Sequence, residues 1–145
     1  RSADRLAEVA DAYRALTAMD GLEDTPFLMY KARGHADMVV VDGFLDALLT
    51  DAIGIPGVIG IGQKGLTPGH LATAVQYGAR RLLLSLSTDE ATATAIRCIR
   101  DHGLEAAVIP RPGEDTDAYI RSTCINKFGK LMEKAIPAAE WLAGR

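Results

Sequence analysis

Cysteine is scarce in this sequence. Cys98 and Cys124 stand far apart, with no Cys-x-x-Cys pair and no Cys/His cluster. A zinc framework is therefore not indicated, and two buried thiols suit a reducing compartment such as the cytoplasm. Long apolar runs are missing as well. None reaches the roughly 18 residues that span a bilayer, and no secretory signal is visible. Nor is there an excess of positive charge: 16 Lys and Arg face 19 Asp and Glu, for a formal net charge of -3. That balance excludes coating nucleic acid by bulk charge but allows contact through a local patch. Internal repeats and low-complexity tracts are absent. The chain opens on Arg1 rather than Met, as a piece of a longer protein or a trimmed one would.

What is present is one core's worth of apolar residues, 48% of 145, which fits a single domain. Ala3 to Met19 carry helical spacing, and Glu23 to His35 read as a connecting loop. Short apolar runs then alternate with helices. Met38–Val41 is followed by a helix from Phe44 to Ile53. Val58–Ile61 precedes a helix that Thr67 caps and Pro68 opens, running to about Tyr77. Leu82–Leu86 leads to a helix from Asp89 to about His102, capped by Ser87 or Thr88, and Ala106–Ile109 is the fourth run. A short helix over Thr116–Arg121 and a last one through Lys127–Leu142, kinked at Pro137, complete the pattern. Strands apolar throughout, alternating with helices, predict a Rossmann-like α/β fold. It has a parallel sheet of about four strands, helices on both faces, and flanking N- and C-terminal helices.

Ligands of such sheets sit at the carboxyl ends of the strands, and several carboxylates fall there. Asp42 closes the first strand, and Asp46 lies one turn into the next helix. Asp89 and Glu90 follow the third strand; Glu114, Asp115 and Asp117 follow the fourth. Hard cations such as Mg²⁺ take oxygen ligands and keep several waters, so a few converging carboxylates suffice. The same residue types also cap helices and complement their dipoles, so residue type and spacing alone stop at an α/β domain with an acidic crevice. Lys64, in the Gly60–Gly65 loop, and Arg111, at a strand end, are the candidate phosphate contacts. The loop lacks the P-loop pattern. Arg80, Arg81, Arg97 and Arg100 read as a solvated basic cluster, and His35, His70 and His102 as surface or cap residues. Trp141 reads as a docking residue for the tail helix.

Several segments resemble one family in order. Val39-Val-Val-Asp-Gly-Phe-Leu-Asp46 is similar to the TOPRIM signature of DnaG-type primases, in which a hydrophobic strand ends in Glu-Gly. Leu66-Thr-Pro-Gly-His70 resembles the family's Leu-Thr-Pro-x-His. Leu82 to Ala91 resembles the strand with its Asp-x-Asp pair, and Gly113-Glu-Asp-Thr-Asp-Ala-Tyr-Ile-Arg121 the Gly-Lys-Asp-Pro-Asp-Glu-Tyr-Leu segment. Phe128 to Leu142 looks like the helix after TOPRIM, and Thr25-Pro-Phe27 with Lys31 like the segment before it. The resemblance implies an N-terminal helix and connecting segment over 1–35, a TOPRIM domain over 36–122 and a C-terminal helical extension over 123–145.

The resemblance further implies RNA primer synthesis on single-stranded DNA from nucleoside triphosphates, with Mg²⁺ or Mn²⁺ as cofactor. A replicative helicase would engage parts outside this chain, and no membrane is involved. By this carry-over Asp42 takes the catalytic position, and Asp46, Asp89, Asp115 and Asp117 are the metal ligands. The departures are specific. Asp42 stands where the family has Glu, one methylene longer. Ser87 stands where it has the first Asp of the pair, and a neutral hydroxyl is a poor Mg²⁺ ligand. Ala91-Thr92 replaces Ala-Gly, and Gly62-Gln-Lys-Gly65 replaces a Gly-Thr-Ala stretch. Three readings follow: an active nucleotidyltransferase with reduced activity, a catalytically degenerate module that binds nucleic acid or a replication partner, and a TOPRIM nuclease.

Overall fold

The valine- and leucine-rich runs lack the polar alternation of half-exposed strands because both of their faces are covered. The computed structural model describes residues 5, 7, 8, 26–62, 65–110 and 132–144. A short helix α1 (Met29–Ala32) precedes β1 (Asp37–Asp42), α2 (Phe44–Ala52), β2 (Val58–Ile61), α3 (Pro68–Gln76), β3 (Arg81–Ser85), α4 (Asp89–Arg100) and β4 (Glu105–Val108). Then β5 (Ile136–Pro137) and α5 (Ala138–Ala143) follow. The sheet order is β2-β1-β3-β4-β5, with the first four strands parallel and β5 antiparallel to β4.

Successive residues of a strand face opposite ways, and each set has its own helices. Met38, Val40, Ile59, Ile61, Leu82 and Leu84 pack with Leu71 and Ala74 of α3 and with Ala95, Ile96 and Ile99 of α4. Val39, Val41, Val58 and Leu83 pack with Phe44, Ala47 and Leu49 of α2. From β1 the chain passes through α2 to β2 on one side, and returns through α3 to β3 on the other. The connections that leave the carboxyl ends of β1 and β3 run in opposite directions, to β2 and to β4, so the ends of these two strands form the switch point at which such sheets open a crevice.

The larger differences from the sequence expectations lie at the two ends. The four parallel strands expected are present, and a short antiparallel β5 joins them. The stretch expected as a loop from Glu23 to His35 holds structure: Phe27 exchanges backbone hydrogen bonds with Gly60 at 2.8 and 2.9 Å, and α1 follows. This antiparallel bridge covers part of the open edge of β2. Pro137 does not kink a helix through to Leu142. It lies in β5 opposite Ala107 and serves as the N-cap of α5, because a residue without an N–H suits an edge strand and a helix start. Element ends moved by a residue or two: β1 starts at Asp37 and takes in Asp42, β3 stops at Ser85, β4 runs from Glu105 to Val108, and α4 ends at Arg100. Of the helix expected over Ala3–Met19, Arg5, Ala7 and Glu8 are helical; the remainder, and the helix expected over Thr116–Arg121, lie outside the described residues.

Candidate functional site at the strand switch point

Asp42 is the last residue of β1, level with Ile61 of β2. The next residue, Gly43, takes φ 110° and ψ 140°, a conformation that costs any residue with a Cβ and so favours glycine. It turns the chain sharply enough for Phe44 to begin α2 at once. Asp46 follows in the first turn of α2, where a carboxylate complements the positive helix end. Its Oδ2 lies 3.9 Å from where a Cβ on Gly43 would sit, so it stays beside the strand end.

Across the crevice, Leu86 and Ser87 leave β3, and Thr88 caps α4, its hydroxyl accepting from the Ala91 N–H at 3.0 Å. Thr88 therefore fills the cap role left open between it and Ser87. Ser87 turns to Asp42 instead. Its N–H and its hydroxyl both donate to Asp42 Oδ2, at 2.9 and 2.6 Å. The other carboxylate oxygen, Oδ1, is buried and has no hydrogen-bond partner among the described residues. Such an atom is costly to leave unmet. Asp89 and Glu90 occupy the exposed first turn of α4.

Leu66–His70 shapes the rim beyond β2. Thr67 accepts from the His70 N–H, and the Thr67 N–H donates to His70 Nδ1, each at 3.1 Å. The imidazole thus completes a reciprocal capping box in the place usually held by Glu or Gln, with its ring proton on Nε2. His70 is buried, so it is a cap rather than a surface residue. The basic cluster lies away from the crevice. Arg81 opens β3 at the amino end, where it pairs with Asp37 through Nη2 at 2.9 Å and Nε at 3.3 Å. That hydrogen bonding raises its pKa further, against a smaller opposing effect of burial. Arg97 and Arg100 sit in the last turn of α4. Burial, aided by Asp101, raises the pKa of Cys98, as befits an unreactive thiol.

The structure thus brings Asp42 and Ser87 into contact and gathers Asp46 and Asp89 at the same end of the sheet. Lys64, Arg111, Asp115 and Asp117 lie outside the described residues. A divalent cation such as Mg²⁺ or Mn²⁺ asks for several oxygen ligands in one place. Asp42 Oδ1 is a fitting donor, but among the described residues no three His, Cys, Asp or Glu side chains assemble into a metal cage. The described residues alone do not make such a site. The role of Ser87 as a donor to Asp42 was not legible in its residue type, which signals only a missing carboxylate. The signal that would find it is the adjacency of β1 and β3, which emerges with the topology.

No family model matches the sequence. A DNA primase of Myxococcus xanthus is 29% identical over 110 residues, a match covering 72% of this chain and 18% of that protein. Among solved structures, the Aquifex aeolicus primase, with its zinc-binding and RNA polymerase domains, superposes with a TM-score of 0.70 at 18% identity. That match covers 80% of this chain and 30% of that one. A primase domain from Pseudomonas aeruginosa gives 0.67 at 19% identity, over 81% and 40% of the two chains. The catalytic domain of DnaG primase bound to single-stranded DNA gives 0.63 at 20% identity, over 81% and 39%. The chain spans under a fifth of the length of the curated relative and 30–40% of these structures.

Sheet order and strand-end carboxylates define a doubly wound α/β domain with its crevice at the β1–β3 switch point. Within that class it has the fold of primase catalytic cores, and its sequence is similar to that of a DNA primase.

Proposed function

We propose that this domain is the TOPRIM core of a primase-like DNA replication protein. In this reading it serves RNA primer synthesis on single-stranded DNA by metal-dependent nucleotidyl transfer from nucleoside triphosphates, in the cytoplasm. The observation that carries the reading is Asp42. It ends β1 at the switch point with one buried oxygen that has no hydrogen-bond partner among the described residues, in a fold shared with primase catalytic cores. One of those solved structures is bound to single-stranded DNA, which supports the choice of template. Asp42 acts beside the reacting hydroxyl, while Asp46, Asp89, Asp115 and Asp117 form the acidic set for Mg²⁺ or Mn²⁺. Lys64 and Arg111 contact phosphate. Among the described residues no helix is long and apolar enough to cross a membrane.

A second reading is favoured by one observation. Ser87 already occupies Asp42 Oδ2 with two hydrogen bonds, as suits a module that positions single-stranded DNA or a replication partner and catalyses nothing. Primer synthesis on a single-stranded template, with nucleoside triphosphates and either Mg²⁺ or Mn²⁺, separates the two. The first predicts short RNA products that Asp42→Asn and Asp89→Ala each reduce by roughly 100-fold or more, the scale of losing a positioned acid or base. Template binding without any product would sink it and leave the module.

A further inference from the structure

One residue places two donors on a single carboxylate oxygen. The N–H and Oγ–H of Ser87 meet Asp42 Oδ2 at 2.9 and 2.6 Å. Val41 pairs with Ser85, so these bonds tie together the carboxyl ends of the two strands that flank the crevice. The second oxygen, Oδ1, is buried with no hydrogen-bond partner among the described residues. We infer that the Ser87 hydroxyl takes the place of a cation in this gap: it fixes Asp42 without metal, and position 87 decides whether the gap needs one. The inference concerns the site of the proposed function and rests on that reading only for the choice of Mg²⁺ and Mn²⁺ as the cations to try.

A hydroxyl that donates to a carboxylate makes a short, charge-assisted bond, and the neighbouring N–H adds a second. A carboxylate at position 87 has no proton to give at neutral pH. It would face Asp42 across a gap now closed at hydrogen-bond length, and two anions that close destabilise each other unless a cation or proton joins them. Ser87→Asp therefore turns a pair joined by its own hydrogen bonds at Oδ2 into one that demands a positive charge. Ser87→Ala removes one donor and adds no charge, so it weakens the tie without creating that demand.

Thermal unfolding of wild type, S87A and S87D at pH near 8 tests this, each in EDTA and in about 10 mM Mg²⁺ or Mn²⁺, without nucleotide or DNA. The wild-type shift between the two conditions, set by whatever the other carboxylates bind, is the baseline. S87A should unfold roughly 2–4 °C lower than wild type and show the same cation shift. S87D should be the least stable in EDTA and gain about 5 °C or more beyond the wild-type shift from the cation, or fold only in its presence. Wild type gaining as much as S87D would overturn the inference, as would an S87D that is indifferent or folds in neither condition. So would an S87A as stable as wild type. Failure to make primers would remove the proposed function and leave these shifts standing.

Discussion

At the scale of single residues, the crevice depends on two glycines placed for different reasons. Gly43 supplies a φ of 110° between Asp42 and α2. Gly60, in β2, supplies absence of bulk. A Cβ there would lie 2.9 Å from Ala47 Cβ, 3.3 Å from the Gly43 carbonyl oxygen and 3.4 Å from Phe27 Cβ. All three neighbours are backbone or Cβ atoms, which cannot swing aside as a long side chain would. Gly60→Ala should therefore lift the start of α2 off the sheet and cost about 1–3 kcal/mol, the scale of overpacking, read as a lower midpoint in urea at unchanged slope. A double-mutant cycle gives the cause. Ala47→Gly alone should cost ~1 kcal/mol as a helix glycine, and clearly less on the Gly60→Ala background, because it removes the clashing carbon. Equal costs on both backgrounds would mean that Gly60 is not needed for this approach.

At the scale of elements, the cap of α3 is the clearest local instruction. Thr67 and His70 exchange hydrogen bonds at both ends of the turn, and Pro68 sets the first helical residue. Thr67→Ala should destabilise by ~1 kcal/mol and Thr67→Ser by much less, in urea denaturation followed by far-UV circular dichroism. Signals of this local kind explain what was readable in the sequence. Thr67-Pro68 marks a helix start whatever the fold, and the strands β1 to β4 announce themselves as short apolar runs between helices. The existence of the crevice and the place of Asp42, Asp46 and Asp89 at its end followed from those runs. β5 and the Phe27–Gly60 bridge were hidden because each is only one or two residues of extended chain, defined by its partner strand and not by its own periodicity. Helical spacing around Ala135–Leu142 masked the break at Pro137 for the same reason. Position 87 shows the limit within the site. The loss of a carboxylate there is plain from residue type, but the bond to Asp42 needs β1 and β3 side by side, and strand order is a property of the whole sheet.

At the scale of the molecule, the tail is part of the sheet. β5 pairs with β4 through Ala107–Pro137 and Val108–Ile136, and Trp141 and Leu142 of α5 pack against the core cluster on the α3–α4 face. Leu84, Leu86, Val108, Ile136 and Trp141 line a cavity of about 100 Å³ under that seam, so the tail shields the carboxyl end of β3, two residues from Ser87. Trp141 is the only tryptophan of the chain, which makes its emission a direct report on docking. If the tail belongs to the same cooperative unit as the parallel strands, unfolding followed by Trp141 fluorescence and by far-UV circular dichroism must trace one curve with one midpoint. Trp141→Ala should lower that midpoint by an amount equivalent to about 2 kcal/mol, in the range for burying a large apolar side chain. A fluorescence change that precedes the loss of helix and sheet would show the tail undocking on its own, as a separate low-stability unit. In that case β4 would be the edge of the sheet during opening, and the seam beside the crevice would be its first part to be exposed.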